Sequence, residues 1–270
     1  MHTEMGVNRR YWEEAVEIHM RSAFYDVDGF RAGRCTLDPI VKSEVGDVSG
    51  KELLHLQCHF GMDSLSLARR GAVVTGLDYS AAAVAAARKL SDEIDVPARF
   101  VESNVYDARS VIDGRFDLVF TSWGVLGWLP DLDEWARIIA HFLKPGGRFV
   151  IVEAHPAVHW FDDGPNAAKK PLTAVYPYRG DGQPELYDEP GTYSDGGEDM
   201  VNTKEYFWRH GLGDIVSAIA AAGLRIDRLR EHPVLVWPGL PALVQGDDGY
   251  WRTGPEQPDL PLSFSLSAYR

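Results

Sequence analysis

A doubly wound α/β sheet, mostly parallel and finished by an antiparallel strand, is the fold that this 270-residue sequence predicts. Three observations carry the expectation. Between Lys51 and Ala154 short apolar runs alternate with helical patterns, and strands alternating with helices form parallel sheets covered on both faces. The apolar runs are nearly continuous, as strands buried on both sides require. The last run, Leu262-Ser263-Phe264-Ser265-Leu266-Ser267-Ala268-Tyr269, alternates strictly, the pattern of a half-buried antiparallel strand.

Each element has its own signal. Leu53 to Leu56 reads as a buried strand ending at Gln57, and Ser64 to Arg70 as a short helix closed by Gly71. Val73 to Asp78 is a second strand that ends on an acid, followed by Ser80, a good N-cap for the Ala-rich helix from Ala81 to about Leu90. Ala98 to Glu102 and Phe116 to Thr121 are the third and fourth strands. Asp133 to Leu143 has helical spacing and stops at Lys144-Pro145-Gly146-Gly147, so that Arg148 to Ala154 becomes the fifth strand. A helix over Gly213 to Ala222 and a strand over Leu224 to Arg230 precede the final alternating run. Arg9 to Phe24 has the spacing of an amphipathic helix, with Tyr11, Trp12, Ala15, Ile18 and His19 among the candidates for its inner face.

The organisation expected is an N-terminal helical cap over residues 1–48, a core formed by 49–155 and 212–270, and an insertion over 156–211. The first part of that insertion is rich in Pro, Gly and aromatics. Its stretch from Asp181 to Asp199 carries seven carboxylates and no Lys or Arg. A segment of this length in a compact domain is usually a lid or a substrate-binding element. The acidic stretch reads either as a solvated loop or, closed over a pocket, as a field that repels anions and favours a neutral or cationic small molecule.

Composition excludes several classes. Apolar residues make up 45% and charged residues 25%, an ordinary balance for a packed domain. With 27 basic and 40 acidic residues the net charge is −13, which argues against a phosphate-backbone partner. Cys35 and Cys58 provide neither a disulfide framework nor metal-ligand spacing. No apolar run reaches membrane-spanning length and the N-terminus lacks a targeting pattern, so a cytoplasmic protein without a membrane partner is expected.

In parallel sheets ligands bind beyond the carboxyl ends of the strands. Function is therefore expected at Gln57–Gly61, Asp78–Ser80, Ser103–Tyr106, Ser122–Gly124 and His155. The turn Gln57-Cys58-His59-Phe60-Gly61 keeps one glycine of a glycine-rich loop, which disfavours a pyrophosphate and suits a ligand without phosphates. Asp78 ends its strand where a carboxylate can accept from both hydroxyls of a ribose, or cap the next helix.

Leu53–Gly61, Val74–Ser80, Ser103–Asp107, Phe116–Trp123 and Phe142–Gly147 follow one another as in class I S-adenosylmethionine-dependent methyltransferases, a family the chain resembles from about Gly50 to Ala154 and more weakly from Leu212 to Tyr269. The resemblance implies a Rossmann-like seven-stranded sheet with an antiparallel last strand and S-adenosyl-L-methionine as cofactor. It further implies that Gln57, Cys58, His59 and Gly61 contact the methionine part, that Asp78 contacts the ribose, that Tyr79 lies against the adenine ring with Asn104 and Val105 at its edge, that Ser80 belongs to the same cofactor site, and that Ser122, Trp123 and Gly124 line the sulfonium end. Departures stand at His55, where the family has a loop acid, at Gln57 and His59, where it has glycines, and at Asn104, where it has Asp. The implied activity is methyl transfer to a small molecule by in-line displacement.

Around that centre, His155 is the candidate general base or substrate anchor and His159 a second anchor. Trp123 and Trp128 are candidates for an aromatic wall or for packing. Tyr11, Trp12, Tyr25 and Trp160 are candidates for closing over the substrate. No resident metal is expected, although His155, His159 and Asp162 or Asp163 could be imagined around one. Two other functions compete: a protein that binds the cofactor without transferring its methyl, as a sensor or partner subunit, and a nicotinamide-dependent oxidoreductase. The aromatic insertion would equally serve a homodimer.

Overall fold

The computed structural model describes residues 2–164, 167 and 172–270. Three helices lead into the sheet: α1 (His2–Arg21), α2 (Val27–Arg31) and α3 (Pro39–Val45). The winding then runs β1 (Glu52–Leu56), α4 (Met62–Arg69), β2 (Val73–Asp78), α5 (Ala81–Glu93), β3 (Arg99–Glu102), α6 (Ala108–Val111), β4 (Phe116–Ser122), α7 (Leu132–Phe142) and β5 (Leu143–Ala154). A small hairpin, β6 (Glu185–Asp188) with β7 (Lys204–Phe207), interrupts the winding before α8 (Leu212–Ala221) and β8 (Arg225–His232). A second hairpin, β9 (Leu243–Gln245) with β10 (Trp251–Thr253), precedes β11 (Ser263–Tyr269).

The main sheet has the order β3-β2-β1-β4-β5-β11-β8. β1 to β5 are mutually parallel, and β11 runs antiparallel to both of its neighbours. Successive strand residues point to opposite faces, and here both faces are apolar. Leu54, Val119, Phe149 and Ile151 meet Trp135, Ile139 and Phe142 of α7 and Ile219 of α8. Leu53, Leu118, Phe120, Val150 and Val152 meet Val41 and Val45 of α3 and Leu67 of α4.

Two expectations need correction. β11 is not half-solvated: Phe264, Leu266 and Ala268 enter the α7/α8 core, but Ser263, Ser265 and Ser267 are also buried. The strand lies inside the sheet, and its serine face is covered by a polar layer around Glu44 of α3. That buried carboxylate accepts from Ser265 Oγ and Arg230 Nη1, each at 3.1 Å. β5 begins at Leu143 rather than Arg148, because Leu143 pairs with Phe116 before the ladder slips and Arg148 meets Leu118. The Lys-Pro-Gly-Gly segment does end α7, but as a bulge within the strand. The exposed edge β8 carries Arg225, Asp227, Arg228, Arg230 and Glu231, charges that discourage pairing with another sheet.

Candidate active site

A cavity of about 570 Å³ opens beyond the carboxyl ends of β1, β2, β4 and β5. Its floor is made of turns. After β1, Gln57, His59 and Gly61 adopt φ of 56°, 50° and 78°. Left-handed backbone costs a side-chain-bearing residue about 1–2 kcal/mol, so this turn keeps the geometry of the absent glycines at some expense and gains two side chains that line the cavity. Gly61 has no such latitude, because a Cβ there would lie 2.7 Å from the Phe100 ring.

Asp78 holds this turn to the next. Its Oδ2 accepts the His59 N–H at 2.7 Å and its Oδ1 the Ser80 N–H at 2.9 Å. Burial pushes its pKa up to about 6 against the pull of those donors. Ser80 caps α5 by accepting from Ala83 N–H at 3.1 Å, and Glu13 of α1 reaches over to accept from Ala81 and Ala82 at 2.8 and 2.9 Å. The first turn of α5 is thereby saturated. Arg9 lies over the Tyr79 ring, 5.3 Å from its centroid. Asn104 uses its side-chain oxygen to cap the turn after β3, accepting from Tyr106 N–H at 3.1 Å.

The turn after β4 is shaped by a residue that sequence reasoning did not single out. Glu153, buried near the end of β5, accepts from the N–H groups of Gly124 (2.6 Å), Val125 (2.7 Å), Leu126 (3.3 Å) and Ala154 (2.6 Å). Burial raises its pKa while these donors oppose the rise. The available signal was an acid inside an otherwise apolar strand. Trp123 takes φ of 49°, donates Nε1–H to Asp38 Oδ2 at 3.0 Å and meets Trp237 edge-on at 5.9 Å. Nearby, Asp63 accepts from Thr36 Oγ1 at 2.5 Å and from Ser122 Oγ at 3.4 Å, and burial raises its pKa. Arg34 and Arg209 are the two basic side chains lining the cavity among the described residues. Arg209 is engaged by Glu185 at 2.6 Å, by the Tyr187 hydroxyl and by the His159 carbonyl.

The roof joins α1 to the insertion. Asn8 exchanges two hydrogen bonds with the backbone of Tyr206 (2.8 and 2.7 Å), and Glu14 accepts from Val201 and Asn202 N–H (2.7 and 2.8 Å). Asp195 accepts from Ala23 and Phe24 N–H (3.0 and 3.1 Å). Trp12 stands edge-on to Trp128 at 5.2 Å and to His59 at 5.4 Å.

All twelve residues singled out for the cofactor line this one cavity: Gln57, Cys58, His59, Gly61, Asp78, Tyr79, Ser80, Asn104, Val105, Ser122, Trp123 and Gly124. Of the acceptor-side candidates, Trp12, Tyr25, Trp123 and His159 line it too. Tyr11 does not, being buried behind Trp12 and Trp128. Trp160 packs on Phe161 and Tyr178 at the surface. His155 is corrected as well: it does not line the cavity. Its Nδ1 accepts from Ala157 N–H at 3.0 Å and its Nε2 lies 3.0 Å from Glu231 Oε1, so the ring caps the turn after β5. None of the seven carboxylates between Asp181 and Asp199 lines the cavity, so the expected repulsive field is not built into its wall. Among the described residues no group of three or more His, Cys, Asp or Glu could hold a metal ion, and no helix is long and apolar enough to cross a membrane.

The residues present fit an adenosyl ligand with a charged amino-acid tail. Each Asp78 oxygen accepts one backbone bond and retains further acceptor capacity. Gln57 donates Nε2–H to Val125 O at 3.0 Å, while its buried Oε1 has no partner among the described residues.

Known proteins share this fold. A solved S-adenosylmethionine-dependent methyltransferase from Mesorhizobium loti superposes with a TM-score of 0.61 at 20% identity, covering 89% of this chain and all of that one. The PH0226 protein from Pyrococcus horikoshii gives 0.60 at 15% identity over 94% and 98% of the two chains. The fold is that of the class I S-adenosylmethionine-dependent methyltransferases. Residues 54–149 match the family model described as a methyltransferase domain. Among curated relatives, the ubiquinone biosynthesis O-methyltransferase of Cronobacter sakazakii is 32% identical over 131 residues, 47% of this chain and 54% of that protein. The chain spans about half the length of the curated relatives it matches.

Proposed function

We propose that this protein is an S-adenosylmethionine-dependent methyltransferase that moves a methyl group to a small-molecule acceptor by in-line displacement. The observation that carries the reading is the pairing, in one cavity, of the Asp78 carboxylate with the unpartnered carbonyl of Gln57. Asp78 would accept from the ribose hydroxyls and Gln57 Oε1 from the cofactor's ammonium. Both cavity guanidiniums are already engaged, Arg34 by the Asp26 carboxylate at 2.8 Å and Arg209 by Glu185 at 2.6 Å, so neither is left over for the cofactor's carboxylate. Tyr79, Asn104 and Val105 would border the adenine. When bound, the cofactor supplies an already activated methyl on sulfur, so the chain has to orient the acceptor and exclude water.

The roof formed by α1 and the insertion would be the lid that does so. Trp12, Tyr25, Trp123 and His159 would face the acceptor, for which a neutral or cationic small molecule is the reading that agrees with the overall negative charge. The O-methyltransferase activity named for the curated relatives supports oxygen as the acceptor atom.

Titration calorimetry with S-adenosylhomocysteine and with NAD tests the cofactor, and methyl-labelled S-adenosylmethionine with a metabolite extract tests transfer. Tight binding of the first ligand, none of the second, and label in a small acceptor are expected. Equal affinity for NAD, or affinity unchanged in Asp78→Ala, would sink the assignment.

A further inference from the structure

We propose that His59 is the general base that takes the proton of an aromatic hydroxyl acceptor, with His19 and Thr192 as the relay behind it; this rests on the methyl-transfer reading above.

The geometry begins with an unusual placement. His59 sits at φ of 50° in the turn after β1, and its ring lines the cavity. Its Nε2 lies 2.9 Å from His19 Nδ1, and His19 Nε2 lies 2.8 Å from Thr192 Oγ1. Among the described residues Nδ1 of His59 has no hydrogen-bond partner, so three of the four imidazole nitrogens are engaged along the chain and this one is left for a ligand. The relevant tautomer donates His59 Nε2–H to His19 and His19 Nε2–H to Thr192, which leaves a lone pair on His59 Nδ1. Asp78, proposed to hold the ribose, also holds the His59 backbone at 2.7 Å, so this imidazole belongs to the residue beside the sugar from which the sulfonium hangs.

The surroundings select the substrate class. Trp12, Tyr25 and Phe60 stand around the imidazole with ring centroids at 5.4, 5.7 and 4.4 Å, and Trp128 continues the wall beyond Trp12. The hydroxyls of Tyr25 and Tyr193 bond to each other. Among the described residues no carboxylate hydrogen-bonds to the side chains of His59, His19, Thr192, Tyr25 or Tyr193. The acids that face this group act at a distance: Asp78 through the backbone of His59, Asp63 on Tyr25, and Glu205 on Tyr11. An enclosure of rings without a counter-ion suits a planar neutral molecule better than an ammonium. Such a nucleophile is a phenol-type hydroxyl, which must lose its proton as it attacks. Burial holds both imidazoles below the usual histidine range, so at neutral pH both are uncharged.

In the step itself the acceptor O–H bond breaks and its proton goes to His59 Nδ1. The oxygen pair forms the new O–CH3 bond, the S–CH3 bond breaks, and its electron pair stays on sulfur as a neutral thioether. The positive charge on His59 is shared with His19 across their hydrogen bond and is lost as a proton to solvent when product leaves.

The test uses the full chain with two phenols, catechol and the already ionised 4-nitrophenol, at pH 8 and with labelled S-adenosylmethionine. His59→Gln keeps an amide facing His19 but removes the base. Its kcat with catechol should fall on the order of 100-fold or more, and less than about tenfold with 4-nitrophenol. The catechol rate of the variant should climb with pH where the wild type is flat. His19→Phe, which preserves packing and cuts the relay, should give an intermediate loss on catechol alone. Equal losses on both phenols would overturn the proposal and make His59 a structural residue. Transfer to benzylamine but to neither phenol would also overturn it while leaving the methyltransferase reading intact. Failure of the wild type to bind S-adenosylhomocysteine would remove both.

Discussion

The floor and the roof of the cavity are held by the same chemistry across very different lengths of chain. On the floor, Asp78 accepts from residues 2 and 19 positions away, and Glu153 from residues 1 to 29 away. In the roof, Asn8 meets Tyr206 across 198 positions, Glu14 meets Val201 across 187, and His19 meets Thr192 across 173. Both regions satisfy backbone N–H groups with side-chain oxygens; the floor adds to its long-range partners, such as Glu13 on α5, the Asp78 and Glu153 carboxylates of its own strand-and-turn repeat. The floor should therefore form with the sheet, whereas the roof can release without unfolding it.

The sharpest break of that comparison is Glu153→Ala. It strips four N–H groups of their acceptor in a buried turn and should cost about 3 kcal/mol or more, read as a lower urea midpoint at constant m. A loss below about 1 kcal/mol would mean that water replaces the carboxylate and that the floor is softer than its hydrogen bonds suggest. Asp78→Ala should leave the fold intact and weaken S-adenosylhomocysteine binding about 100-fold, near 3 kcal/mol, by calorimetry.

The same carboxylate predicts opposite pH trends for the empty and the liganded protein. Its folded pKa of about 6 lies above the ordinary 3.8, so its contribution to stability is present below about pH 4 and lost as pH rises to about 6. Ribose hydroxyls need the ionised form, so affinity should weaken by up to about tenfold per unit as pH falls below 6. In Asp78→Ala both trends should vanish.

Cutting the roof tests the other half. The double variant Asn8→Ala, Glu14→Ala should raise hydrogen exchange in the 201–206 segment by an amount equivalent to about 1–2 kcal/mol. The β1–β5 amides should stay protected; equal loosening of both would show that roof and floor are one cooperative unit. The smallest expected effect is that of Gln57→Gly. Relief of left-handed strain, about 1 kcal/mol, should offset the lost bond to Val125, leaving the thermal midpoint within about 2 °C. Cofactor affinity should still drop about fivefold if Oε1 receives a ligand donor.

Much of the floor was legible because it follows periodicity. Alternation of strand and helix located β1 to β5, and the rule that ligands gather at carboxyl strand ends brought Gln57, Asp78, Asn104 and Trp123 to one cavity. His155 obeyed the same rule and still missed, because its ring found Ala157 N–H and Glu231 instead of open space. Glu153 hid inside an apolar run, where alternation places it on a strand but cannot say that four N–H groups await it. Short α3 carried no periodic signal, so neither Glu44 nor the buried serine face of β11 could be foreseen.

Local pattern alone determined the succession of strands and helices in the core, the antiparallel finish and the position of the binding edge, since these depend on which residues exclude water and on turn chemistry a few residues long. The union of α1 with the insertion, the chain of His59, His19 and Thr192, and the turning of His155 away from the cavity were decided only in three dimensions. Contacts between groups nearly two hundred positions apart leave no periodic trace. Their energy exists only after the sheet has set the distance between them.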